Sequence, residues 1–162
     1  MKTISFILAC CLFSGPRANS VDTCTAVKEF SDWKNFDPYL IAGIVYTESR
    51  FTVTAVNKRS QASGPMQVLP KYSLVPPQQL TTSYIGVLGG VLTAEKWRKR
   101  GSKKWVEYYR VGKLCERECK KNRRKCLRKR AKYCERRDTY ENKLRHHYLR
   151  FVLLEYAIGF LL

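Results

Sequence analysis

The sequence predicts a mainly α, single-domain fold with a short extended, turn-rich region and a cationic, disulfide-tied helical insertion. Three observations predict it. Apolar residues recur at helical spacing in several segments, residues 52–63 are rich in Thr, Val, Asn and Ser, and four of seven cysteines crowd into 115–134 beside the densest basic run. A chain of 162 residues with 44% hydrophobic content suffices for one compact core.

The first element is Lys2 followed by an apolar run over 4–13, then Ser14-Gly15-Pro16 and Ala18-Asn19-Ser20. This order reads as a signal peptide over 1–20, cut after Ser20, leaving a domain over 21–162. The run is too short to span a bilayer. Ile7-Leu8-Ala9-Cys10 offers a second reading as a lipoprotein signal, against which the apolar run continues past Cys10. Either way the chain is exported, and its cysteines suit an oxidising compartment. Removal of the leader takes Cys10 and Cys11, so that Cys24 is left odd.

A short helix is predicted over 25–33. Asp37-Pro38 then supplies an N-cap and a first-turn proline for a helix over 38–49. Leu40, Ile41, Ile44, Val45 and Glu48 share one face of it. A glutamate closing an apolar stripe is unusual. Burial, and the negative end of the helix dipole, both disfavour its anion, so a raised pKa is expected, as suits a general acid. The plain alternative is a solvated residue at a helix end. Beyond it, 51–69 reads as loop or short strand, and Pro76-Pro77 interrupts any helix. Helices over 84–99, 103–111, within 115–134, and 139–158 complete the fold. The tail 151–162 is apolar on nearly every face and reads as a buried last helix, with an interfacial contact with lipid as the alternative.

From Tyr39 to Pro70 the chain resembles the catalytic core of the lytic transglycosylases, peptidoglycan-cleaving enzymes that share the lysozyme-like fold with goose-type lysozyme. The residues that carry the resemblance are Glu48-Ser49-Arg50-Phe51 at the end of an apolar helix, Ala55-Val56, Ala62, Gly64-Pro65-Met66-Gln67 and Pro70. Gly86-Val87-Leu88-Gly89-Gly90 resembles the third motif, with Gly86 where asparagine is usual and Thr93 where an aromatic often sits. Tyr108-Tyr109-Arg110-Val111-Gly112 resembles the next, with Arg110 in place of asparagine. Thr139-Tyr140-Glu141-Asn142 resembles the last.

The resemblance implies that Glu48 is the single catalytic acid/base, cleaving the β-1,4 bond between N-acetylmuramic acid and N-acetylglucosamine and leaving a 1,6-anhydromuramyl end. It further implies substrate-binding roles for Ser49, Gly64, Met66, Gln67, Tyr109 and Tyr140, with Tyr109 holding the Glu48 carboxyl and Tyr140 lining the groove. The residue chemistry agrees in part. Gly64 allows a close backbone approach to a sugar, and Gln67 offers a donor and an acceptor to an acetamido group. Ser49 has an equal reading as a hydroxyl bonded to its own helix, and Met66 as core. Between Asp37 and Glu95 the only acidic side chain is Glu48. That favours a mechanism with one carboxylate over the usual two.

Charge is divided along the chain. Residues 21–95 carry six basic and six acidic side chains, whereas 96–150 carry 23 basic and 6 acidic. The segment 113–138, foreign to the resemblance, reads as a cationic insertion tied by Cys115, Cys119, Cys126 and Cys134, nested pairing being one of three connectivities. A zinc site using these with His146 or His147 is the alternative, but their spacing lacks a close cysteine pair, and no metal or cofactor is expected. The expected partners are peptidoglycan strands, then anionic wall polymers or a membrane surface through 113–138. Nucleic acid is not expected in an exported protein. Two other functions stay open at this stage: a hydrolytic muramidase, and an inactive cationic protein that binds polyanions or membrane. The small size resembles accessory enzymes of phage, conjugation or secretion machinery.

Overall fold

The computed structural model describes residues 2–14 and 20–99, together with Glu135, Asp138, Thr139, 141–143, Arg145 and His146. Its helices are α1 (Lys2–Ser14), α2 (Ser20–Trp33), α3 (Pro38–Ser49) and α4 (Ser83–Lys99), with 3-10 turns at Pro70–Tyr72 and Pro77–Thr81. The fold is mainly α, as the sequence predicts. The predicted helices over 103–111 and 115–134, the four cysteines of the insertion, and the tail 151–162 lie outside the described residues.

α2 is the hub, packed against α1, α3 and α4. It serves as one because Cys24, Val27 and Ser31, with Thr23 and Ala26 beside them, fall at helical spacing and are all buried. Ile41, Ile44 and Val45 from α3, and Val87, Val91 and Ala94 from α4, complete the core around it.

α3 has the bounds its sequence predicts, for the predicted reasons. The Asp37 carboxylate accepts the Tyr39 N–H at 3.0 Å, and Pro38 occupies the first turn. At the other end Arg50 takes the left-handed conformation (φ 53°) and donates its N–H to the Tyr46 carbonyl. α4 ends in Lys96, Arg98 and Lys99, which suits the negative end of its dipole. Arg98 donates to the carbonyls of Lys34 (2.7 Å) and Asn35 (2.8 Å) and lies 4.0 Å from the centre of the Phe36 ring. The end of α4 is thereby fastened to the turn between α2 and α3.

One expectation, that of an odd Cys24, changes. In the intact chain the apolar run read as a leader is a helix packed on the domain. Phe6, Ala9 and Cys10 are buried, and the Phe6 ring meets Tyr39 edge-on at 5.2 Å. Cys24, expected to be odd, is disulfide-bonded to Cys10. The odd count followed from removing Cys10 with residues 1–20; while α1 is present, its apolar face covers α2 and brings the two cysteines together. The turn-rich segment contains isolated bridges, Val56 with Ser63 and Ser63 with Val68, and no strand among the described residues.

Candidate functional site

Glu48 is half-buried, next to last in α3. Arg50 and Phe51 follow it with φ of 53° and 61°, two consecutive left-handed residues without glycine. Such a pair costs of order 1–3 kcal/mol per residue, so the surroundings must hold it in place. Burial of the Phe51 ring (1% exposed) supplies that hold. The chain therefore turns sharply just after Glu48, which stands at a helix end and is followed by a loop.

That loop is cross-braced by Gln67. Its side-chain amide donates to the carbonyls of Ala55 and Gly64, both at 3.0 Å, and the Gly64 N–H donates to Ala55 at 2.8 Å. Both amide protons of Gln67 are thus committed to the backbone, which leaves the side chain its carbonyl oxygen rather than the donor and acceptor expected. The sequence contains no local signal for this brace, because its partners lie three and twelve residues away.

Gly64 is required by the fold itself. Its φ is +80°, and an added Cβ would lie 1.9 Å from the Leu80 carbonyl oxygen. The close approach is to the protein's own backbone. Met66 is fully buried in the core and packs against Gly90 of α4, so it supports the loop from behind and offers no surface to a ligand. Ser49 donates its hydroxyl to the Val45 carbonyl at 3.2 Å, the local helix bond that was its alternative reading. Tyr109 and Tyr140 lie outside the described residues.

Gly86, the departure from the usual asparagine, has a packing reason. A Cβ there would stand 2.4 Å from the Leu80 carbonyl oxygen and 2.5 Å from Pro65 Cδ. Leu80 and Pro65 fill the space that a side chain would use. Thr93, where an aromatic is common, is buried and bonded to the Gly89 carbonyl at 2.8 Å.

The acids that bracket Glu48 in sequence are engaged elsewhere. Asp37 caps α3 with one oxygen and pairs with Arg145 through the other. Arg145 also binds Glu141 at 2.9 Å and lies 4.5 Å from the centre of the Tyr39 ring. Burial opposes its charge, but the carboxylates of Glu141 and Asp37 outweigh it and raise the guanidinium pKa. This contact joins residues 108 apart and was invisible in the sequence. Glu95 is held between Lys99 and Lys34, each at 3.1 Å, and their hydrogen bonds lower its pKa.

Residues 25–75 match the family model of the transglycosylase SLT domain. The match supports assignment of this segment to the lytic transglycosylase, lysozyme-like family. The match takes in Glu48 and the loop through Gln67, and stops before Gly86. No curated protein and no solved structure matches the chain. SLT domains cleave glycosidic bonds of peptidoglycan, in the periplasm or cell-wall space, which makes the wall polymer the substrate class.

Proposed function

We propose that the protein is a peptidoglycan lytic transglycosylase in which Glu48 alone serves as acid and then base. The observation that carries this reading is the isolation of Glu48 from the nearest acid before it in the sequence. Asp37 caps the opposite end of α3, eleven residues away, or about 16 Å along the helix axis. Paired glycosidase carboxylates stand about 5–9.5 Å apart. Glu95, the next acid after Glu48, is occupied by two lysines.

In the proposed cycle the Glu48 carboxyl gives its proton to the glycosidic oxygen between N-acetylmuramic acid and N-acetylglucosamine. The bond from that oxygen to the muramyl anomeric carbon breaks. The Glu48 carboxylate then takes the proton of the muramyl 6-hydroxyl, whose oxygen closes on the anomeric carbon. One glycosidic bond is exchanged for another, no water is consumed, and Glu48 ends as it began. The loop braced by Gln67 supports the geometry, and its carbonyl oxygen is the polar group it offers the substrate. Tyr109 and Tyr140 complete the proposed grip on carboxyl and sugar. The basic segment 113–138 draws the enzyme to anionic wall polymers or membrane.

Export is part of the proposal, with residues 1–20 as a leader. A cut after Ser20 made before the Cys10–Cys24 bond forms removes α1 and leaves Cys24 as a thiol; made afterwards, it leaves residues 1–20 joined to Cys24 through that disulfide until it is reduced. The intact mass of the exported protein reads this directly: it begins at Val21 if the leader is removed. The activity is tested by digesting peptidoglycan sacculi and weighing the products. Fragments lighter by one water than reducing-end fragments, absent with Glu48→Gln, support the reading. Reducing ends alone would establish a muramidase instead.

A further inference from the structure

A cleft of about 450 Å³ opens where the start of α2, the loop beyond Glu48 and the start of α4 meet. Its lining includes Asp22, Thr25, Val53, Thr54, Thr82 and Tyr84, and none of Glu48, Gly64 or Gln67. That volume lies in the range of small-ligand sites, about 300–1,000 Å³.

The lining offers both acceptors and donors, the hydroxyls of Thr54 and Ser83 keeping protons that no hydrogen bond among the described residues takes up. The Thr25 hydroxyl donates to the Val21 carbonyl at 2.9 Å and the Thr82 hydroxyl to Gln79 at 2.8 Å. With their protons committed, these oxygens present lone pairs, and the Asp22 carboxylate only accepts. With the Thr54 and Ser83 hydroxyls beside them, these oxygens suit a ligand whose groups both donate and accept, as sugar hydroxyls do. Among the described residues the lining contains no lysine or arginine to attract an anion.

Tyr84 supplies an apolar face. The residue is 44% exposed, yet its side chain is held at two points. The hydroxyl donates to the Glu29 carboxylate, and Phe30 meets the ring edge-to-face at 4.7 Å. A fixed, accessible aromatic surface beside a carboxylate and hydroxyl oxygens matches a sugar ring, which presents C–H groups on its face and hydroxyls at its rim.

We propose that this cleft is an accessory saccharide-binding site, with Tyr84 stacking on a sugar and Asp22 accepting its hydroxyls. That the sugar belongs to a peptidoglycan strand rests on the functional reading above. Thr54 is six residues past Glu48, so at most about 20 Å of chain separates them and one strand can engage both.

The test is a titration of the isotope-labelled full chain with the N-acetylglucosamine tetrasaccharide, followed at the amides of Thr25, Thr54 and Thr82. Saturable shifts there are expected, with affinity about tenfold weaker in Tyr84→Ala and in Asp22→Ala. Asp22 is exposed in the first turn of α2, so its variant carries the test if Tyr84→Ala loosens the fold. Unmoved amides overturn the proposal. So do unchanged affinities in variants with native melts, and so do shifts caused by butylamine and not by the saccharide. The two readings fail separately: Glu48-dependent digestion of sacculi without these shifts sinks only the accessory site, and the shifts without digestion sink only the enzyme.

Discussion

Gly90→Ala sets two physical effects against each other in one helix. Gly90 lies inside α4, where alanine is favoured over glycine by about 1 kcal/mol. Propensity alone therefore predicts a stabilised protein. The added Cβ would, however, lie 2.2 Å from the Met66 sulfur, 2.5 Å from Met66 Cβ and 2.7 Å from its Cγ. Ordinary contact is about 3.5–4.0 Å. The sulfur can swing away, but Met66 Cβ moves only with its backbone, and Met66 is fully buried. Overpacking of this kind costs about 1–3 kcal/mol, and the fixed Cβ puts it at the upper end. The net effect is a loss of about 2 kcal/mol, or about 4–8 °C in melting temperature for a chain of this size. Thermal and urea melts of the variant measure it. Combining it with Met66→Ala, which removes the sulfur and Cγ and keeps Cβ, gives a loss smaller than the sum of the two single losses. A Gly90→Ala protein as stable as wild type, or more so, would refute the seating of the Met66 loop on α4.

Other outcomes follow from the same contacts. Gly64→Ala places a Cβ against the Leu80 carbonyl in a left-handed residue, and should cost at least about 2 kcal/mol by urea melt. Asp37→Ala removes the α3 cap and the half-exposed pair with Arg145, for a loss of about 1–2 kcal/mol in the same assay. Glu95 has a lowered folded pKa, so the stability it contributes is present above the unfolded carboxylate value, about 4.3, and is lost as pH falls through the folded value. Melting temperature against pH should therefore fall less steeply in that acid range for Glu95→Gln.

Local signals carried far in this chain. Asp37, Pro38 and the apolar stripe were enough to place α3 to the residue, because caps and periodicity are encoded by neighbours. The glycines of α4 were legible as a motif, and their cause was not. Gly64 and Gly86 both answer to the Leu80 carbonyl, which comes from a separate turn. The Gln67 brace and the Arg145 contact with Asp37 were equally hidden, since each depends on what the fold brings together. The pairing of Cys10 with Cys24 is not legible in the sequence because it depends on α1 packing against α2 in the intact chain.

The central claim is that Glu48 cleaves the wall polymer without water. Digestion of sacculi in water enriched in heavy oxygen tests it most directly, with mass spectrometry of the released fragments and Glu48→Gln as the control. Anhydro ends that carry no heavy oxygen from the cleavage step are expected, and no fragments from the variant. One heavy oxygen at each new reducing end, or the same fragments released by Glu48→Gln, would contradict the claim.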